Sequence, residues 1–364
     1  MRKKLFILFI IILSLPLLSN EAKACDSCNF FEYSLLQNRS YIGLFYRHRQ
    51  FGGYDQYGYS SPSPGTALVT SKLPAGFENG VVAKYTPNAR KAASPSIDQD
   101  LIVMHEPEGT GLYVNKTDQD WETYETVELR GNFTWKNKWN FTFILPFESN
   151  RIHYQKMLDL PNPVQDTTLT VHGWGDMTVA ADYIHYIYNT KARHTFRPGL
   201  AIVVPTGQSN KVASNNSPFD PIIQPGTGSW SYVARFNYQL FYTKTGLNTG
   251  FSYKQSTEGA QNYQFGSSFN ASAIGFHQIS LQDDWMLIPN AGAYYEQSHK
   301  DTWTDEKQQL TGGKVVFAQA GLDVNRQEWT LSLMWQTPVY QDLNGNQIHH
   351  QNRISIGFIK AFKL

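Results

Sequence analysis

The sequence predicts an all-β fold: a transmembrane, antiparallel, up-and-down β-barrel of about twelve strands. Three observations lead there. A secretory leader opens the chain, apolar and polar residues alternate with a period of two through most of the rest, and the connections between alternating segments are short and long in turn.

The leader comes first. Arg2, Lys3 and Lys4 form a positive start, Leu5 to Leu18 an apolar run broken only by Ser14 and Pro16, and Ala22 and Ala24 place small residues at −3 and −1 before Cys25. That run is too short to span a bilayer, which takes about 20 residues. A lipoprotein signal is expected to carry a large aliphatic residue at −3, where Ala22 stands, so ordinary cleavage before Cys25 is favoured over lipidation. Residues 1–24 are therefore read as signal peptide, 25–39 as a periplasmic segment and 40–364 as the barrel.

Charge and composition narrow the class. The leader holds Arg2, Lys3, Lys4 and Lys23 against Glu21, so a total of +1 leaves a mature chain near −2. A nucleic-acid partner, which needs a basic face, is excluded. Two cysteines do not make a disulfide scaffold. No later apolar run is long enough for a spanning helix, yet 14% of residues are aromatic. Since a bilayer core admits only helices and closed barrels, the barrel remains.

The strands follow from alternation. "WKNKWNFTFILPF" puts Trp139, Phe141, Phe143, Leu145 and Phe147 on one face. "SWSYVARFNYQLFY" separates Trp230, Tyr232, Ala234, Phe236, Tyr238 and Leu240 from Ser229, Ser231, Arg235, Asn237 and Gln239, and "EWTLSLMWQ" aligns Trp329, Leu331, Leu333 and Trp335. Strands are expected near 40–51, 121–135, 139–147, 172–187, 195–205, 228–242, 246–254, 265–278, 285–296, 314–325, 329–338 and 353–362. Short connections fall at 136–138, 188–194, 243–245, 279–284 and 326–328; long ones at 52–120, 148–171, 206–227, 255–264, 297–313 and 339–352. Short periplasmic turns and long outer loops are the barrel's rule, with both termini periplasmic in the outer membrane of a Gram-negative bacterium. A hairpin around Val81 to Tyr85 would raise the count to fourteen. The last strand aligns Ile354, Ile356 and Phe358 and runs on to Phe362 and Leu364, the kind of terminal strand that outer-membrane assembly machinery reads.

"GWGDMTVAADY" (173–183), "PGLAIVVPTG" (198–207) and "PGTGSWSYVARFNYQLFY" (225–242) resemble the outer-membrane transporter family named for the MetA pathway of phenol degradation, in the same order along the chain. A subset of similar barrels begins with Cys-x-x-Cys after the signal. The resemblance, clearest over about 170–300, implies an outer-membrane channel or transporter for a small solute. Physically, Gly173, Gly175, Gly226 and Gly228 are read first as sites of tight backbone where strands leave the outer loops, with Pro205 and Pro225 bracketing one long loop.

Alternation sends Arg47, Arg49, Glu128, Arg130, Asp176, Asp182, Arg197, Arg235, Lys254 and Asp323 toward the lumen. Both signs are present, so a strongly selective pore is not indicated. The same residues can pair across the lumen and brace the barrel. No G-x-S-x-G, H-E-x-x-H or phosphate-loop pattern occurs, so an enzyme is not expected. In "YQDLNGNQIHH", Asp342, Asn344 and Asn346 lack the closing Glu of a calcium loop and are read as a turn at Asn344-Gly345; His349 and His350 would point oppositely on a strand.

Cys25 and Cys28 stay open between three chemistries: a small disulfide, half of a tetrahedral copper or zinc site, and a lipid anchor at Cys25. The alternatives to a transporter are a copper-handling component at the periplasmic mouth, or a non-transporting surface barrel. Metal analysis of the wild type against the Cys25→Ser/Cys28→Ser double variant decides the metal reading: a metal site predicts loss of bound copper or zinc in the variant, and equal content dismisses it.

Overall fold

The computed structural model describes residues 39–56, 58–59, 112–157, 164–213, 216 and 218–362. The leader, Cys25 and Cys28, the segment around Val81 to Tyr85 and Leu364 lie outside the described residues. Twelve antiparallel strands form the barrel. They are β1 (Ser40–Gly52), β2 (Trp121–Trp135), β3 (Trp139–Met157), β4 in three pieces (Val164–Trp174, Met177–Tyr183 and His185–Tyr188), β5 (Ala192–Val204), β6 (Ser231–Tyr242), β7 (Thr245–Ser256), β8 (Ser268–His277), β9 (Trp285–Ser298), β10 (Gly313–Arg326), β11 (Trp329–Leu343) and β12 (His350–Phe362). Each pairs with its neighbour in sequence, and β1 closes on β12 in a register running from Ser40↔Phe362 to Phe51↔His350. Closure leaves the twelve-stranded barrel without an edge.

The short connections are tight for a chiral reason. Lys136 and Asn137 both have positive φ (50° and 54°) between Trp135 and Trp139, as do Asp283 and Asp284 (56° and 63°) before Trp285. Turns of that hand match the right-handed twist of the flanking strands. At this end lie both ends of the described barrel, Ser40 and Phe362.

The outer face carries the apolar residues of each alternating strand. Leu44, Leu129, Phe141, Leu200, Leu331, Ile356 and Phe358 are exposed there. Rings gather at both margins of this band, with Trp139 against Tyr183 and Trp329 against Phe358 at the short-turn margin, and Phe147 against Trp174 at the other. A soluble protein would leave such a continuous apolar surface in water; in a bilayer it is the solvent-facing side.

One expected connection is corrected. The 148–171 segment is mostly strand: β3 continues to Met157 and β4 begins at Val164. The inward residues keep their pattern through Asn150, Ile152 and Tyr154, all buried, while the outward ones turn polar at Ser149, Arg151 and His153. The apolar band therefore ends before the strand does, and this hairpin rises beyond it.

Between the first two pieces of β4, Gly175 and Asp176 step out of the ladder, and the β5–β6 loop is tied there. Asp176 Oδ1 accepts from the Gly207 N–H at 2.9 Å; Oδ2 accepts from the Thr227 N–H at 2.8 Å and its hydroxyl at 2.6 Å. Gln208 N–H donates to the Trp174 carbonyl (2.8 Å), and Gly226 N–H to the Gln208 carbonyl (3.0 Å). A Cβ on Gly226 would lie 2.5 Å from the Gly207 carbonyl carbon, so only glycine permits this contact. The three glycine-containing segments noted in the sequence thus meet in one knot. From it the loop folds inward, setting Ile223 and Phe219 against Ile152, Tyr154, Leu169 and Val171.

Asp176→Ala removes three hydrogen bonds, two of them from buried or partly buried amides, at a cost of about 1–3 kcal/mol per buried group left unpaired. The expected result is new protease cleavage within 208–225 in a barrel that still migrates as folded on an unheated gel; a loop as resistant as wild type would contradict the knot's role.

Candidate functional site

The inner wall is polar, and three clusters of ionised groups stand on it. Nearest the short-turn end, Asp182 on β4 receives Arg235 of β6 in a two-point contact, Nε to Oδ1 and Nη2 to Oδ2, each 2.5 Å. Arg197 of β5 adds a bond at 3.3 Å and Asn140 of β3 one at 3.4 Å. Register explains the meeting: Asp182 pairs with Gly199 on β5, and Gly199 pairs with Arg235 on β6. Any side chain at position 199 would collide with the Asp182 carboxylate, so the missing Cβ lets the acid lie across the intervening strand.

At mid-height Glu128 of β2, with no exposed surface, stands between two guanidinium groups. Arg47 on β1 reaches its Oε1 and Arg130 its Oε2, both at 2.5 Å. Arg130 also lies over the Phe45 ring, 4.3 Å from the centroid. Flat guanidinium groups suit a carboxylate on one side and a ring on the other, which is why arginine serves here better than lysine.

Toward the long-loop end, Arg353 of β12 binds Glu296 of β9 at 2.8 Å and lies 4.0 Å over Phe317 of β10. Its other terminal nitrogen donates to His350 Nδ1 at 3.0 Å, which fixes that imidazole nitrogen as acceptor. Arg49 sits 5.2 Å over Tyr124.

The remaining sequence candidates are placed as follows. Lys254 is buried on the inner face of β7. Asp323 on β10 is buried and accepts a 2.6 Å bond from the Ser332 hydroxyl across the β10–β11 hairpin. Asp176 is buried in the knot, its carboxylate taken up by the loop. Glu296 and Arg353 stand outside the sequence candidates, and His350, expected to point opposite to His349, turns inward to join them. Glu296 follows Gly292 and Tyr294 at every second position and was readable from alternation; His350 and Arg353 belong to the start of β12, where two adjacent histidines and an uneven pattern hide the phase.

The histidines near the loops are dispersed. His153 stacks on Trp121, His299 bonds Ser267, His349 pairs with Asp55 at 3.1 Å, and His350 turns inward. Gly345 has a φ of 63°, in keeping with a turn at Asn344-Gly345. Among the described residues, no group of three or more His, Cys, Asp and Glu side chains is arranged to hold a metal.

No family model matches the chain, and no curated protein matches it. Solved structures do. An outer membrane channel from Pseudomonas putida F1 is 10% identical, with a TM-score of 0.54 over 91% of this chain and 98% of that one. The transport unit of the autotransporter AIDA-I from Escherichia coli is 11% identical with a TM-score of 0.42, covering 92% and 94%. The β domain of the Bordetella autotransporter BrkA is 8% identical with a TM-score of 0.40, covering 89% and 100%. At such identities the first likeness concerns the fold: this chain shares the barrel architecture of that outer membrane channel over nearly the full length of both.

Proposed function

We propose that the protein is an outer-membrane channel or transporter for a small solute, with the lumen as its path, the long loops outside the cell and both termini periplasmic. The observation that carries this reading is the inverted polarity of the wall. Leucine, isoleucine and aromatic side chains face outward, while Arg47, Arg49, Glu128, Arg130, Asp182, Arg197, Arg235, Lys254 and Asp323 face inward. Burying that many ionised groups inside a barrel is costly unless they are paired or solvated. A structural core would be filled with apolar side chains instead, whereas a polar conduit requires such a lining.

The outward alternation of Ile354, Ile356 and Phe358 on β12 supports recognition by the outer-membrane assembly machinery. The inward loop supports passage of small solutes only. In twelve strands the lumen is narrow, and Phe219 and Ile223 reduce it further at the long-loop end. Paired charges across such a lumen act as both brace and filter, because a passing solute must replace part of their electrostatic environment.

Purified protein in liposomes is expected to admit small sugars or amino acids in a swelling assay. In planar bilayers, replacing both Arg47 and Arg235 with Ala is expected to raise single-channel conductance and shift ion preference toward cations, since two buried positive charges are lost from the narrow path. Unchanged conductance and selectivity would sink a lumen role for these residues. No flux from the wild type, and none after removal of residues 208–224, would reject the channel.

A further inference from the structure

The outer face of β1–β4 changes character just beyond the Phe147–Trp174 ring pair. The next outward row, in register across four strands, is His48, Glu125, Ser149 and His172; the row beyond it is Gln50, Thr123, Arg151 and Thr170; the third ends in Trp121, His153 and Thr168. Four basic side chains therefore share one lateral face, directly above the apolar band. They are not an unordered fringe. Glu125 Oε1 accepts from the Tyr46 hydroxyl at 3.1 Å and lies 3.6 Å from His48 Nδ1, and Oε2 accepts from Arg151 Nη2 at 3.1 Å. His153 is held by a 2.8 Å bond to Thr168 and by stacking on Trp121.

Elsewhere at this level the described outward residues are different. β6, β7, β9 and β11 present Tyr232, Tyr253, Tyr295 and Tyr340, and Lys314 on β10 stands opposite Asp342 in register. The basic groups are concentrated on one flank of the barrel.

We propose that this flank is a binding site for the phosphorylated headgroup of a glycolipid in the leaflet at the long-loop end. The inference rests on the membrane placement given above. The occupant follows from continuity: whatever covers Leu129, Leu145 and Phe147 with acyl chains must put its headgroup beside Arg151, His48, His153 and His172. Donor chemistry supplies the phosphate: a guanidinium and three imidazoles can each donate to phosphate oxygens. Glu125 spends its oxygens on Tyr46 and Arg151, and the Arg151 side chain so held is 45% exposed. Glu125 is a positioning residue, and Arg151 is the phosphate ligand.

The test uses the full-length protein in neutral detergent, with retained lipid counted by native mass spectrometry. The probes are bisphosphorylated lipid A, the same lipid stripped of phosphate, and inorganic phosphate as competitor. Wild type is expected to retain the bisphosphorylated lipid over the stripped one. Arg151→Gln should cut that retention about threefold to fivefold, the size of one exposed charge contact, with Arg151→Lys restoring part of it and Lys314→Gln changing nothing. Glu125→Gln separates a built site from bulk attraction. Loss of an acid should raise retention if charge alone matters, which would overturn the proposal, and lower it if Glu125 positions Arg151. Equal retention of both lipids, or displacement by millimolar inorganic phosphate, would also overturn it. Folding of each variant is checked by its heat-dependent gel mobility. Single-channel recording in phospholipid bilayers keeps the two readings apart: conductance without lipid retention fails this proposal alone, and retention without conductance fails the channel alone.

Discussion

A hydrocarbon layer offers no partner to a peptide N–H or C=O, and everything else in this protein is arranged around that fact. Twelve strands satisfy it only because the first and last meet, Ser40 opposite Phe362 at one end and Phe51 opposite His350 at the other. Once the backbone is closed, side chains are free to sort by face. One consequence is that polarity is decided by position parity along each strand, which is why a single chain can be greasy outside and ionic within.

The ionic interior brings its own constraint. A lone carboxylate or guanidinium in such surroundings would be strongly unfavourable, so each takes partners on its own face, from another strand or from two residues along the same one, as Arg130 serves Glu128. Glu128 and Asp182 each take two arginines, and each depends on something that is not charged. Phe45 supports the Arg130 plane, and Gly199 leaves room for the Asp182 carboxylate. The barrel's cross-section is set in part by these short bonds, which join β1 to β2 and β4 to β5 and β6.

Strand number and facing were legible in the sequence because they depend on local periodicity and on turn length. The ten inward candidates came from the same rule. Strand length was less legible: β3 looked finished at Phe147 because the outward pattern turned polar there, although the backbone ladder runs ten residues further, to Met157. Pairing was not legible at all. That Arg235 should meet Asp182 depends on two successive registers, β4 to β5 and β5 to β6, and a shift by one residue in either would turn one of them outward. The role of Asp176 was hidden for another reason. It sits where alternation breaks, and its partners are loop amides some 30 and 50 residues away.

The contact between Gly207 and Gly226 also bears on how the molecule tolerates change. A loop whose two roots already touch is, in polymer terms, a closed ring, and the entropy of bringing its ends together has been spent by the wall instead of by the loop. Lengthening such a ring adds only a slowly growing logarithmic term, about 0.6 kcal/mol per doubling, and exerts no leverage on the strands beneath. The length of the stretch between the roots is thus uncoupled from the strands, which feel it through Ile223 and Phe219 where these pack on the wall. Away from those two side chains, peptide can be exchanged or inserted there with little consequence for the fold, and variation among related chains would be expected to accumulate there.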